Sequence, residues 1–244
     1  MSRPCVLVLA GLDPSGGAGL LADAEAVRAA GATPLCVATA LTVQTTRAAR
    51  RFKTVDPGLV VESAQALLEE EDVRAIKIGM VGDRAVAVEI AGLLQGRERL
   101  PLVVDPVLAA SSGAKLFEGS VTSARDAYLR LAAGAVLTPN LSEAETLLGA
   151  RLDDPMQAGA LLGEGPGAVL LKGGHLAGDP VDFLFQPLGV EQFRARRIPA
   201  SARGTGCRLA SAIAAGLARG LPLREAVLAA RQLVRDYLQA HLSV

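Results

Sequence analysis

The chain has 244 residues, half of them hydrophobic and 20% charged, which suits a compact enzyme with a large aliphatic core and excludes a disordered polymer. Lysine plus arginine and aspartate plus glutamate both number 25, so there is no cationic excess of the kind that binds nucleic acid or an anionic membrane. No run reaches the ~18–20 apolar residues that span a bilayer. Cys5, Cys36 and Cys207 lack metal spacing and read as reduced thiols of a cytoplasmic protein.

The first strand is "CVLVLA" (5–10), which runs into the glycine-rich turn "DPSGGAG" (13–19) and a helix over 19–30. The strand "LCVATAL" (35–41) leads to Gln44, and Arg47, Arg50 and Arg51 read as a solvated loop before a helix over 57–71. "RAIKIGM" (74–80), a helix over 83–95, and "PLVVDPV" (101–107) follow, then a helix over 120–132 and "AVLTPN" (135–140). Helices over 142–149 and 155–163 precede "AVLLKGG" (168–174). "VDFLF" and "EQFRARRI" flank "QPLGV" as an antiparallel hairpin on one edge, and helices over 205–219 and 222–240 close the chain. Strands apolar throughout and separated by helices indicate an α/β domain, its mostly parallel sheet covered on both faces. Neither a linker nor a repeat divides 1–244, so one domain is expected.

In such sheets ligands sit beyond the carboxyl ends of the strands, where the polar residues of this chain gather. The turn at 13–19 is neither a Gly-Lys-Ser/Thr phosphate loop nor G-x-G-x-x-G, and it reads either as a tight turn or as a backbone nest for a polar ligand. Asp23, four residues into the next helix, faces either the same cavity or solvent. Asp105 ends an apolar strand, where a carboxylate is costly unless paired or bound to a cation. Asn140 and Glu143 have the spacing of a helix cap, or, together with Asp105, of oxygens that organise Mg²⁺. Lys172 follows an apolar strand and places a positive charge where phosphate would lie, whereas His175 has no evident partner. "GTGC" (204–207) opens a helix whose unpaired N–H groups suit an anion, and that field favours ionisation of Cys207. The parts add up to phosphoryl transfer without a Gly-Lys-Ser loop.

Seven motifs in order carry a family resemblance: "AGLDPSGGAGLLADAEAVRAAGA", "TALTVQTT", "IKIGM", "VVDPVLAASSG", "LTPNLSEAETLLG", "VLLKGGH" and "GTGC". From about residue 5 to 240 the chain resembles the hydroxymethylpyrimidine/phosphomethylpyrimidine kinases of thiamine biosynthesis, in the ribokinase-like superfamily. The resemblance implies a three-layer α/β/α sandwich, a homodimer, and use of ATP and Mg²⁺ on the hydroxymethyl of an aminopyrimidine. It puts Gly11, Ala18, Asp23, Gln44, Met80 and Val107 around the pyrimidine, Gln44 pairing with a ring nitrogen and the exocyclic amine. It gives Asp105, Asn140 and Glu143 to phosphates and Mg²⁺, with Asp105 and Glu143 nearest the metal. Lys172 steadies the transferred phosphoryl group, Gly204, Thr205 and Gly206 form its anion hole, and Cys207 takes the place of the general base.

The chain also departs from that family. Ala202-Arg203 stands for Thr-His before Gly-Thr-Gly-Cys, and Arg208 for the threonine after it. Ser111 and Ala114 replace a lysine and an aspartate, Thr45 follows Gln44 in place of asparagine, and a glycine- and histidine-containing tail is absent. Arg208 is therefore expected either to grip a phosphate or to fill its space. Two further readings stand beside the kinase: a pyridoxal/pyridoxine kinase, and a pyrimidine-binding regulatory protein with feeble catalysis.

Overall fold

β1 (Cys5–Leu12) shows in its alternation why it has almost no polar position. Leu7 and Leu9 enter one core while Val6, Val8 and Ala10 enter another, all five buried. A strand covered on both faces must be apolar on both, and each fully buried aliphatic side chain contributes roughly 1.5–3 kcal/mol. The computed structural model describes residues 3–110, 113–174, 178–200 and 202–242.

Among the described residues β1 sits within a nine-stranded sheet with β2 (Thr33–Gln44), β3 (Ala49–Thr54), β4 (Val73–Ile78), β5 (Leu102–Val104), β6 (Val136–Leu137), β7 (Ala168–Leu171), β8 (Val181–Gln186) and β9 (Gly189–Arg194). The order is β3-β2-β1-β4-β5-β6-β7-β8-β9. Strands β2 through β7 along that order run parallel, while β3, β8 and β9 pair antiparallel at the two edges.

The Val6–Val8–Ala10 face is covered by α1 (Gly19–Ala29), α6 (Thr205–Ala218) and α7 (Leu223–Ala240). The Leu7–Leu9 face is covered by α2 (Pro57–Glu70), α3 (Arg84–Leu94), α4 (Val121–Leu131), α5 (Leu141–Leu148) and a 3₁₀ segment, Pro155–Glu164. The three-layer sandwich and the hairpin β8–β9 match the expected architecture. Asp56, Asp83 and Ser120 cap α2, α3 and α4 by accepting the N–H of Leu59, Val86 and Ser123. By contrast, α1 and α6 both begin without a side-chain cap, and both begin at the carboxyl edge of the sheet.

Two elements differ from the sequence reading. The expected loop around Arg50 and Arg51 is β3, an edge strand whose arginines are exposed while Phe52 packs toward Ala40 and Met80. Its polar alternation carries little strand signal by itself; pairing with β2 supplies the rest. The segment 155–163 is 3₁₀ rather than α, with Gly159 so close to β8 that a Cβ there would stand 2.9 Å from the Phe185 ring. Among the described residues no helix is long and apolar enough to cross a membrane.

Candidate active site

The loops that leave β1, β2, β4, β5, β6 and β7 converge with the start of α6 on one cleft of about 1130 Å³. Its wall includes Gly11, Ala18, Gln44, Met80, Val107, Asp105, Asn140, Glu143, Lys172 and the run Gly204–Cys207, all expected from the sequence. Parallel strands deliver their carboxyl ends to one edge, which is why residues so far apart in the chain meet there.

One end of the cleft is a knot of charge. Lys172 Nζ donates to Asp105 Oδ1 at 2.7 Å and lies 3.6 Å from Glu143 Oε2. Burial opposes a charge on Lys172, but Asp105 and Glu143 overcome it and hold the ammonium above its ordinary range. Burial likewise opposes the Asp105 carboxylate, yet Lys172 and Lys77 keep it below the usual range. Glu143 is pushed the other way, burial and the nearby Asp105 outweighing Lys172. Asn140 and Glu143 form a reciprocal capping box on α5: Asn140 Oδ1 accepts the Glu143 N–H, and Glu143 Oε2 accepts the Asn140 N–H at 2.7 Å. The cap therefore fixes Glu143 in the cleft.

Facing this knot is the amino end of α6. Gly204 has φ 69°, a left-handed value, and a Cβ on it would collide with the Gly17 carbonyl oxygen. Among the described residues the N–H groups of Thr205, Gly206 and Cys207 have no acceptor. A Cβ on Gly206 would stand 3.2 Å from Lys172 Nζ, so glycine lets the ammonium approach these donors. Three open N–H groups beside a lysine make an anion site with a positive rim.

The other end of the cleft is lined by Gln44, Met80 and Gly11. Gln44 is the last residue of β2, where a bulge against β3 breaks the register between Val43 and Gln44. Val43 faces solvent, whereas Thr42 and Gln44 face the cleft. Met80 packs on the bare backbone of Gly11, where a Cβ would stand 2.6 Å from its Sδ. Asp13 Oδ2 accepts from Gln44 Nε2 at 3.1 Å and from Arg203 at 2.9 Å.

One cleft thus joins a polar end around Gln44 to an end with open N–H groups and Lys172. The family model described as phosphomethylpyrimidine kinase matches residues 13–244. The chain belongs to this kinase family. It is 38% identical to a hydroxymethylpyrimidine/phosphomethylpyrimidine kinase of Streptomyces coelicolor, covering 98% of this chain and 90% of that one. It is 41% identical to the thiamine biosynthesis bifunctional protein ThiED of Geobacter sulfurreducens over 95% of this chain, and spans 48% of that longer protein. The crystal structure of phosphomethylpyrimidine kinase from Clostridium difficile superposes with a TM-score of 0.81 at 32% identity, covering 98% and 100% of the two chains. Pyridoxal kinase of Bacillus subtilis gives a TM-score of 0.81 at 25% identity, with 95% and 90% covered. The chain is thus a ribokinase-like small-molecule kinase, and its relatives are pyrimidine kinases of thiamine biosynthesis.

Within this kinase three expectations about side chains need correction. Asp23 does not reach the cleft; it is fully buried, paired with Lys77 Nζ at 2.8 Å and bonded to Ser211 Oγ at 2.8 Å. The Arg208 side chain does not line the cleft. Its guanidinium turns away to Glu25 at 2.6 Å, to the carbonyls of Gly17 and Arg203, and over the Tyr237 ring at 3.9 Å. Cys207 is not made acidic by the helix start. Burial and the carboxylate of Asp105 push its thiol up to about 12, against the pull of Lys77 and the Gly19 N–H. Ser111 and His175 lie outside the described residues.

The sequence reading missed Lys77, which borders the cleft from a fully buried position. The signal was present: a lysine inside the apolar strand "RAIKIG" needs a buried partner. Burial works against its charge, but Asp23, Cys207 and Asp105 hold it above the ordinary lysine range. Lys77→Met leaves Asp23 buried and unpaired and is expected to cost about 3–5 kcal/mol in urea unfolding. The loss should grow as pH rises above about 4, the ordinary aspartate value, because burial makes an unpaired Asp23 bind a proton more tightly folded than unfolded. Adding Asp23→Asn should recover part of it. A Lys77→Met protein within about 1 kcal/mol of wild type contradicts the pairing.

Proposed function

We propose that this chain phosphorylates the hydroxymethyl of 4-amino-5-hydroxymethyl-2-methylpyrimidine, its monophosphate or both, with ATP and Mg²⁺, as a single cytoplasmic kinase domain. The observation that carries the reading is the shared cleft: the Gln44 carboxamide lies at one end, and the open N–H groups of α6 with Lys172 lie at the other. The ADP complex of the Bacillus subtilis pyridoxal kinase supports ATP as donor. Three unpaired cysteines support a reducing compartment.

Asp105 and Glu143 fit Mg²⁺ in one sense only. Among the described residues no cluster of three or more metal-binding side chains exists, and both carboxylates already share Lys172. That suits an ion held largely by waters and phosphates and touched by one or two carboxylates. ATP supplies the phosphoryl group, and Mg²⁺ offsets the charge of its oxygens when bound. Lys172 and the N–H groups of Thr205, Gly206 and Cys207 stabilise the phosphoryl oxygens, each such donor contributing roughly 2.7–4 kcal/mol. Cys207 borders the cleft together with Gly19 and Asp105, which act on its thiol in opposite directions. We assign it a positioning role at the substrate hydroxyl, whose proton passes to an oxygen of the transferred phosphoryl group. In a loose transition state the hydroxyl loses its proton late, so a resting thiolate is not required.

A coupled ADP-release assay should show turnover of a pyrimidine substrate in preference to pyridoxal. Preference for pyridoxal contradicts the assignment, as does pyrimidine binding without turnover. In the same assay Cys207→Ala should lose about 10²-fold or more in kcat. Wild-type kcat should not climb tenfold per unit between about pH 7 and 9, since the thiol stays protonated throughout that range. Near-full activity of Cys207→Ala would leave the backbone donors as sufficient. The resemblance to the family further supports a homodimer. Sedimentation at twice the 25.0 kDa protomer mass is the expected result, and a 25.0 kDa species contradicts it.

A further inference from the structure

Gln44 is 9% exposed and Asp13 3% exposed, and they meet at the ring end of the cleft. An amide has a donor end and an acceptor end, and which end faces a ligand decides what ring it accepts. A carboxylate only accepts. The Gln44 nitrogen must therefore face Asp13 Oδ2, 3.1 Å away. One of its two hydrogens is used there, and the second remains for a ligand. Among the described residues no group donates to Gln44 Oε1, and that oxygen is not sealed from solvent. Gln44 thus shows the cleft an acceptor next to a donor.

Asp13 is itself held from several sides. Its Oδ1 accepts the Ser15 N–H at 2.9 Å and the Ser15 hydroxyl at 2.7 Å. Its Oδ2 accepts from Arg203 at 2.9 Å, and Arg203 also donates to Ser15 Oγ and to the Thr45 carbonyl, each at 3.0 Å. Arg203 so ties together the turn after β1, the turn after β2 and the approach to α6. It lies against Gly17, where a Cβ would stand 3.0 Å from its NH1.

We propose that Asp13, anchored by Arg203, is a positioning residue that fixes the direction of the Gln44 carboxamide, and that the fixed carboxamide selects a ring with an acceptor nitrogen beside a donor amine. The proposal deepens the pyrimidine-kinase reading and rests on it for the identity of the ring. An aminopyrimidine offers that pattern. Its 4-oxo counterpart, in the lactam form, offers an N–H beside a carbonyl, which is the reverse. A site whose polar groups match one pattern rejects the other strongly, because its own buried groups are left unpaired.

The test is calorimetric binding of 4-amino-5-hydroxymethyl-2-methylpyrimidine and its 4-oxo counterpart to the full chain. Wild type should prefer the amine by about 100-fold or more. Asp13→Asn offers both a donor and an acceptor to Gln44, so the carboxamide can turn over. The preference should then fall at least about tenfold, chiefly through tighter binding of the oxo ring, with affinity for an ATP analogue unchanged. A merely structural role cannot improve binding of the wrong ring. Arg203→Met keeps Asp13 but frees it, and should lower the preference about threefold or more. Retention of the wild-type preference by Asp13→Asn overturns the proposal. Should Asp13→Asn not fold, retention by Arg203→Met does so. Equal binding of the two rings by wild type also overturns it, even where both are phosphorylated and the kinase reading stands. Conversely, a wild type that prefers the amine but transfers no phosphate supports the proposal and retires the kinase reading.

Discussion

A charge withdrawn from water must meet an opposite charge, and the contact between Asp105 and Lys172 at 2.7 Å is where this constraint organises the molecule. Asp105 directly follows β5 and Lys172 directly follows β7, with β6 between the two strands in the sheet. The pair therefore links two strand ends across a third, and Glu143 joins it from the capped start of α5. A second pair, Lys77 with Asp23, lies deeper and binds β4 to α1, with Ser211 bringing in α6. Lys77 helps keep Asp105 ionised, so the buried pair supports the exposed-side one. Breaking either leaves a charge that the interior cannot solvate.

The same constraint explains why the cleft has two chemically different ends. Where the carboxylates and Lys172 meet the uncapped start of α6, positive donors face open space, and glycine at 204 and 206 lets backbone and ammonium come close. Where Gln44 meets Asp13, the amide nitrogen faces the carboxylate and Arg203 holds that carboxylate in place. Arg203 stands between the two ends, at the residue before Gly204. Its bonds to Asp13, Ser15 and Thr45 couple the geometry of the ring end to the loop that presents the anion site.

Local pattern carried much of this into the sequence. The parallel core was legible because strands buried on both faces must be apolar throughout, as Val6 to Ala10 are. The polar residues at strand ends were legible because nothing in a bland α/β fold calls for Asp105, Gln44 and Lys172 there. What escaped was pairing over distance. Asp23 read as a cleft residue since its partner Lys77 is 54 positions away, and Arg208 read as a phosphate ligand since Glu25 and Tyr237 are remote in the chain. Cys207 was misjudged for a related reason: the helix start is local and lowers a thiol's pKa, but the enclosing burial and Asp105 are tertiary and win. β3 escaped because an edge strand with outward arginines becomes a strand only through its neighbour.

The central claim is that Lys172 is placed for the transferred phosphoryl group and not for the pyrimidine. The most direct measurement is a paired one on Lys172→Met: turnover with ATP and hydroxymethylpyrimidine, and the Kd of the pyrimidine alone. The account predicts a fall of about 10²-fold or more in kcat, with the pyrimidine Kd within about threefold of wild type. A kcat within threefold of wild type, or a loss that lies wholly in pyrimidine binding, would contradict it.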